Sequence, residues 1–343
     1  MLSRKATQYL GGLTFDSPLV LTGHEAAVYA LCAFGSGSFL SGGGDGQLVR
    51  WAPDKSQHGK AIATLDDSIF GILPIYQRAT IGSLSAKQPP PTPPAAIAVA
   101  TLSGDFYWVT TAGSASPKRW RLHQDGVFGL VQLEDYVYAC GGKGRLSRWA
   151  AGDGSFDRFA ALDTVRLRGL AYLRDPGLLA VGTANGDVHL VDPESMRIVH
   201  THQIAHERTV FSIVDAGNQF YTAGRDGAIR SWNTNAPFAQ NGNVAAHAAT
   251  VNQLSLWPSV SGHQLLSAGR DREIRVWNTI SERLVLAKAL NAPRDMGHVA
   301  SVNAVLAMDS RRFVSASDDR TIRVWNRIDR ASEDHSTHSR RVI

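Results

Sequence analysis

Short runs of alternating apolar and polar residues, interrupted by Asp- or Gly-bearing turns, recur along most of the chain. The segments SGGGDGQLVRW (Ser41 to Trp51), TAGRDGAIRSW (Thr222 to Trp232), SAGRDREIRVW (Ser267 to Trp277) and SASDDRTIRVW (Ser315 to Trp325) align without gaps. Apolar residues two apart flank an Asp followed by Gly or Arg, which predicts two strands joined by one tight turn. Upstream of each segment a His precedes a β-branched anchor by four residues: His24 and Val28, His206 and Val210, His247 and Val251, His298 and Val302. The offset recurs with His123 and Val127 before CGGKGRLSRW (Cys140 to Trp149), and with Asp163 and Leu167 before GTANGDVHLV (Gly182 to Val191). Ile69 opens a degenerate copy ending at LSGDFYWV (Leu102 to Val109). The seven anchors, 28, 69, 127, 167, 210, 251 and 302, are separated by 41, 58, 40, 43, 41 and 51 residues. A period near forty residues is the mark of an array whose units cannot bury their apolar faces alone.

The Gly-His pairs (Gly23-His24, Gly297-His298), the Asp-bearing turns and the closing Trp-Asn pairs (Trp232-Asn233, Trp277-Asn278, Trp325-Asn326) resemble the WD-repeat β-propeller family over residues 13 to 326. Trp-Asn replaces the family's eponymous Trp-Asp, and copies two and four lack the Trp. The resemblance implies an all-β fold, a single seven-bladed β-propeller of four-stranded antiparallel blades, because radial stacking buries both faces of every sheet. It also places the outer strand of a unit between one Trp and the next Gly-His, as Lys60 to Leu65, Arg197 to Gln203 and Arg283 to Ala289 would lie. Nothing comparable follows Trp325, so Leu13 to Leu21 is expected to supply an N-terminal strand that closes the ring. The expected organisation is a flexible N-terminus at 1–12, the propeller at 13–326 and a disordered tail at 327–343. Residues 81–94, containing QPPPTPP, lengthen the second unit. They read either as a ligand for an SH3-like or WW-like groove or as an extended loop.

Composition narrows the class. The 343 residues are 43% hydrophobic and 19% charged, without any run of 18 apolar residues, which excludes a membrane-spanning helix. Cys32 and Cys140 lie in apolar sequence and Met1 to Gln8 is polar, so a reducing compartment, the cytoplasm, is expected for a chain that is monomeric on its own. The net charge of +5 invites a nucleic-acid reading. The basic-looking tail, however, sets four Arg against Asp329, Glu333 and Asp334, so it is no basic arm.

His24, Ser41 and Asp45 together resemble a Ser/His/Asp nucleophile system. The set recurs, as His206, Thr222 and Asp226, as His247, Ser267 and Asp271, and as His298, Ser315 and Asp319, whereas a catalytic site needs one copy beside a pocket. The family resemblance implies structural tetrads completed by Trp51, Trp232, Trp277 and Trp325: His and Asp hydrogen-bond, and the hydroxyl links His to the indole N–H. No enzyme, catalytic residue, cofactor or metal is expected. The glycine-rich turns match no phosphate loop. His200 and His202 share a strand face without the ligands to complete a metal site, and are expected on a solvated strand.

The same resemblance assigns recognition to the face that carries the Asp turns. The residue after each anchor is Tyr29, Phe70, Phe128, Arg168, Phe211, Asn252 and Asn303. The residue before the anchor adds Arg166, and the one before the turn Asp adds Leu102, Arg225 and Arg270. Aromatics thus gather in units one to three and Arg in units four to six, the residue types enriched in binding hot spots. The expected function is a protein-interaction scaffold for a peptide or protein with apolar and acidic parts. The alternative is RNA or another polyanion held by the basic arc.

Overall fold

The computed structural model describes residues 13–76, 94–111, 116–259, 262–280 and 283–328. The N-terminus at 1–12, the Pro-rich insertion up to residue 93 and the tail from 329 lie outside the described residues.

Each repeat is a meander of antiparallel strands running from the ring's axis outward. Blade one consists of Val28–Ala33, Phe39–Gly43, Gln47–Ala52 and Ser56–Thr64. The innermost strands of the other blades are Ile69–Ile75, Val127–Leu133, Leu167–Leu173, Val210–Asp215, Val251–Ser259 and Val302–Ala307, each starting at its anchor. Blades one to six complete four-stranded sheets from consecutive chain. Blade seven takes Val302–Ala307, Arg312–Ser317 and Ile322–Ile328 from the far end of the sequence, and its outer edge from the beginning. There Leu19, Val20 and Leu21 pair with Val324, Arg323 and Ile322, while Thr14 and Phe15 pair with Ile328 and Arg327. The closing strand is in two pieces because Pro18, between them, has no N–H for the ladder. Its first piece keeps Arg327 and Ile328 in the sheet, so the blade ends after 328 rather than at the expected 326.

Seven apolar clusters fill the spaces between neighbouring blades, one per interface, including that between blades seven and one. Third-strand Trp side chains are among the largest members of five of them, and Trp51, Trp149 and Trp325 are at most 1% exposed. In three blades the cross-strand neighbour is a Phe whose ring lies nearly parallel: Phe39 on Trp51 at 6.4 Å, Phe220 on Trp232 at 6.2 Å and Phe313 on Trp325 at 5.9 Å. Such pairs add to the burial of the rings themselves. In blades two and four Val109 and Val191 stand at the Trp position and are likewise buried.

The turn between second and third strands requires a left-handed residue. Gly227 (φ 76°) fills it in blade five, where a Cβ would stand 2.5 Å from the carbonyl oxygen of His247. The turn therefore passes directly beneath the loop that enters the next blade. Blades six and seven place Arg272 (φ 72°) and Arg320 (φ 65°) there, a conformation that costs a residue with a Cβ about 1–2 kcal/mol.

Candidate functional site

Four blades carry the same buried polar chain. In blade one the Trp51 indole N–H donates to Ser41 Oγ at 2.7 Å, and Ser41 Oγ lies 2.7 Å from His24 Nε2. His24 Nδ1 faces Asp45 at 2.9 Å, and Asp45 also accepts the backbone N–H groups of Glu25 and Gln47. Thr222, Ser267 and Ser315 hold Trp232, Trp277 and Trp325 to His206, His247 and His298 with all distances between 2.7 and 2.9 Å. Those histidines face Asp226, Asp271 and Asp319 at 2.8–2.9 Å. The Asp fixes the His tautomer, so Nε2 accepts the hydroxyl proton and the hydroxyl oxygen accepts the indole. Burial lowers the pKa values of His206 and His298 despite the carboxylates. The hydroxyls of Ser41, Thr222, Ser267 and Ser315 belong to fully buried residues. The sets join each turn to the loop ahead of its own blade's first strand.

The remaining blades reach similar ends by other residues. In blade three Ala139 stands where blade one has Ser41, and the hydroxyl comes from Ser147, its cross-strand partner. Ser147 Oγ lies 2.8 Å from His123 Nε2 and accepts the Trp149 N–H at 2.9 Å. Lys143 replaces the Asp, leaving His123 Nδ1 without a partner among the described residues, and burial with Arg145 nearby lowers the His123 pKa to about 4. In blade four Asp163 stands in the loop where other blades have His, Asn185 takes the turn position, and the His is His189 on the third strand, 3.3 Å from Asp163 and with Thr201 on its other ring nitrogen. In blade two Asp67 holds the Ser103 N–H and hydroxyl at 2.7 Å, and the fully buried Asp105 carboxylate is bracketed by Arg119 and Arg121. Ser147, His189 and Asp105 escaped the sequence reading. The signal for Ser147 is its place two residues before a buried Trp, hence on the same strand face.

His200 and His202 lie on the outer strand of blade four, Arg197–His202, whose first half is exposed as expected, but the two histidines themselves are half-buried. Their rings are 4.6 Å apart, with His202 packed 4.3 Å from Trp232 and His200 5.2 Å from Phe238, so both are wedged between blades four and five. Among the described residues no three His, Cys, Asp or Glu side chains gather closely enough to hold a metal ion.

Every blade repeats one further backbone bond. The residue before the turn donates its N–H to the carbonyl of the residue before the anchor: Gly44 to Ala27, Leu102 to Ser68, Gly142 to Gly126, Ala184 to Arg166, Arg225 to Thr209, Arg270 to Thr250 and Asp318 to Ser301, at 2.8–3.0 Å. These two rows therefore form one rim. Between anchor and anchor plus two, every innermost strand also shifts register against its neighbour. The skipped residue is Tyr29, Phe70, Phe128, Arg168, Phe211, Asn252 or Asn303. A bulge turns its extra residue out of the ladder, and here all seven line one open well of about 380 Å³ on the ring's axis.

Within the well Tyr29 stacks on Phe70 at 4.5 Å and Phe70 meets Phe128 edge-on at 6.0 Å. The Arg168 guanidinium carbon lies 3.8 Å from the Phe128 ring centre and 5.1 Å from that of Phe211. Asn252 donates to Ser301 Oγ and to the Val302 carbonyl, and Asn303 to Asp318 and to the Val28 carbonyl, which ties blades six, seven and one across the mouth. On the rim Leu102, Arg166, Arg225 and Arg270 are exposed. The two turn arginines, Arg272 and Arg320, are exposed as well and extend the positive arc toward blade seven, where Asp318 interrupts it. Their signal in the sequence is Asp-Arg where other turns have Asp-Gly.

A family model described as "WD domain, G-beta repeat" matches residues 16–52, 240–278 and 293–326. No curated protein matches the chain. Among solved structures, the crystal structure of the WD40 β-propeller domain of Doa1 superposes with a TM-score of 0.74 at 16% identity, covering 92% of this chain and 97% of that one. A chain of the crystal structure of the mitotic checkpoint complex does so with a TM-score of 0.74 at 17% identity, covering 96% of this chain and 95% of its own. No helix among the described residues is long and apolar enough to cross a membrane. With its seven four-stranded blades and its closure by the N-terminal strand, this chain is a seven-bladed β-propeller, and its residues 16–52, 240–278 and 293–326 are similar to WD repeats.

Proposed function

We propose that the protein is a non-enzymatic interaction scaffold, monomeric and cytoplasmic, that binds a peptide or protein segment with apolar and acidic parts on the face carrying the Asp turns. The observation that carries this reading is the convergence of the seven bulged residues, four of them aromatic and one an Arg, on a single axial well rimmed by Arg166, Arg225 and Arg270. Aromatic and Arg side chains around a recess are the usual anchors of an interface. A solved chain of the same fold comes from a multi-protein complex, which agrees with a scaffold role. The Ser/His/Asp sets argue against hydrolysis, since each hydroxyl is buried and already engaged by an indole and an imidazole. Crosslinking and pull-down from cells, with Phe70→Ala/Phe128→Ala as control, tests the reading: a specific partner should be captured by the wild type and lost by the control.

The second reading is RNA or another polyanion on the same face, favoured by the exposed arginines beside stacked aromatics. Phosphate binding weakens steeply with salt, so retention of the partner at high salt separates the two.

A further inference from the structure

The well has two layers of different chemistry. The bulged residues form its mouth, and further along the innermost strands Leu31, Ile72, Leu130, Leu170, Ile213 and Leu254 line it, with Ser212 and Gln253 beside them. Arg168 is the charged side chain of this wall among the described residues. Its guanidinium is held between Phe128 and Phe211, and no carboxylate or other acceptor among the described residues takes its N–H groups. The like charge of Arg166 acts on it instead and, after burial, is the second reason why its pKa falls to about 10. An arginine whose guanidinium carbon lies over two rings and whose N–H groups have no acceptor among the described residues is suited to pair with a planar anion. The anion assigned is a carboxylate, whose two oxygens match the guanidinium fork in a bidentate pair.

The order of the layers restricts the carrier. An Asp or Glu side chain brings its carboxylate at the tip, so it would have to drive the charge into the aliphatic layer to bury anything apolar. A chain end has the opposite arrangement: the α-carboxylate branches from the same carbon as the side chain, so the side chain descends into the aliphatic layer while the carboxylate stays level with Arg168. We propose that the axial well is a receptor for the C-terminal residue of a partner chain, an aliphatic residue of about Leu size whose free α-carboxylate pairs edge-on with Arg168. The proposal rests on the top-face reading above and specifies which part of the partner enters. The volume of about 380 Å³ admits one such residue and part of its neighbour rather than a folded element.

The test uses the full chain and four synthetic probes followed by calorimetric titration or by NMR of the arginine side chains: acetyl-Gly-Ser-Leu with a free C-terminus, its C-terminal amide, acetyl-Gly-Ser-Gly with a free C-terminus, and 4-methylpentanoate. The free acid of the Leu peptide should bind at least about tenfold tighter than its amide and than the Gly peptide. Arg168→Met should abolish the acid-over-amide preference, and Arg168→Lys should retain part of it, as a point charge without the fork. Both variants should melt as the wild type does. Equal binding of acid and amide, or a preference that survives Arg168→Met, overturns the proposal. So does 4-methylpentanoate binding as tightly as the peptide, which would make the well a small-acid site. If the peptides fail while Phe70→Ala/Phe128→Ala still abolishes partner capture, the chain-end receptor falls and the binding face stands. If that variant also leaves capture intact, both fall.

Discussion

Ser147 and His123 meet at 2.8 Å in blade three, and they do so although the serine comes from the strand next to the one that supplies the hydroxyl in blades one, five, six and seven. The hydroxyl has moved straight across the sheet, from the position of Ala139 to its cross-strand partner, and the Trp149 N–H has kept its acceptor. What the fold requires is a hydroxyl between a buried indole and a buried imidazole, from whichever strand can deliver it.

Removing that hydroxyl should strand both neighbours. Ser147→Ala should destabilise the protein by about 1–3 kcal/mol, the usual penalty for an unpaired buried donor or acceptor. Adding Ala139→Ser to it should recover part of the loss by restoring the arrangement of blade one. Chemical denaturation of both variants checks this, and a double variant no more stable than the single one would count against the cross-strand exchange.

His247→Ala and Asp271→Ala should each cost about 1–3 kcal/mol for the same reason, since each leaves a buried partner unpaired. Ser41→Ala should lower the melting temperature without removing any ester or peptide hydrolysis. An esterase activity lost in Ser41→Ala with the fold intact would contradict the structural role of the tetrads.

Closure makes the two termini unequal. Deleting residues 1–21 removes the strand paired with Ile322–Val324 and uncovers a hydrogen-bonding edge, which invites aggregation. Deleting 329–343 should leave the melt unchanged. Thermal melts with light scattering compare the two, and damage confined to the C-terminal deletion would contradict the observed pairing.

Acid should weaken the ring in two stages. Burial lowers His123 and His202 to about 4, with Arg145 and His200 adding to it respectively, and burial lowers His206 and His298 as well. In the unfolded chain a histidine titrates near about 6.5, so between that value and about 4 the unfolded state takes up protons that the folded state refuses, and stability falls as pH falls. Burial acts to raise Asp226 and Asp319, but hydrogen bonds from His206 and Arg230, and from His298 and Thr321, outweigh it and hold both well below the ordinary range. Their contribution is present above the unfolded carboxylate value near about 4 and is lost only below it. Urea midpoints measured at about pH 7.5, 5 and 3.5 should decrease in that order, and a flat profile from 7.5 to 5 would contradict the first stage.

The sequence carried the architecture because the repeat is written in residues close together along the chain: the His stands four residues before its anchor, and hydroxyl, turn Asp and Trp keep constant spacings of their own, all within a few tens of residues. The substitutes in blades two to four were hidden because they depend on cross-strand register. Ser147 matters only because it faces Ala139, and His189 only because Asp163 stands where other blades have His. The offsets also selected the residues around the well, yet the reason they converge, a bulge at the same place in each innermost strand, is a property of pairing and leaves no mark in the alternation. The division into an aromatic and a basic sector is less sharp in space than along the chain, since Arg168 of blade four is packed between Phe128 of blade three and Phe211 of blade five.

Binding on the face with the Asp turns is tested most directly by titrating a captured partner against two double variants, each at low and high salt. Phe70→Ala/Phe128→Ala removes apolar contact worth about 1.5–3 kcal/mol per fully buried side chain, so it should weaken binding at both salt concentrations. Arg225→Ala/Arg270→Ala removes exposed charges that are screened beyond about 8 Å at physiological ionic strength, so it should weaken binding mainly at low salt. Loss that follows this pattern is the expected result. Unchanged affinity in both variants, with their folds intact, would contradict the assignment of recognition to this face.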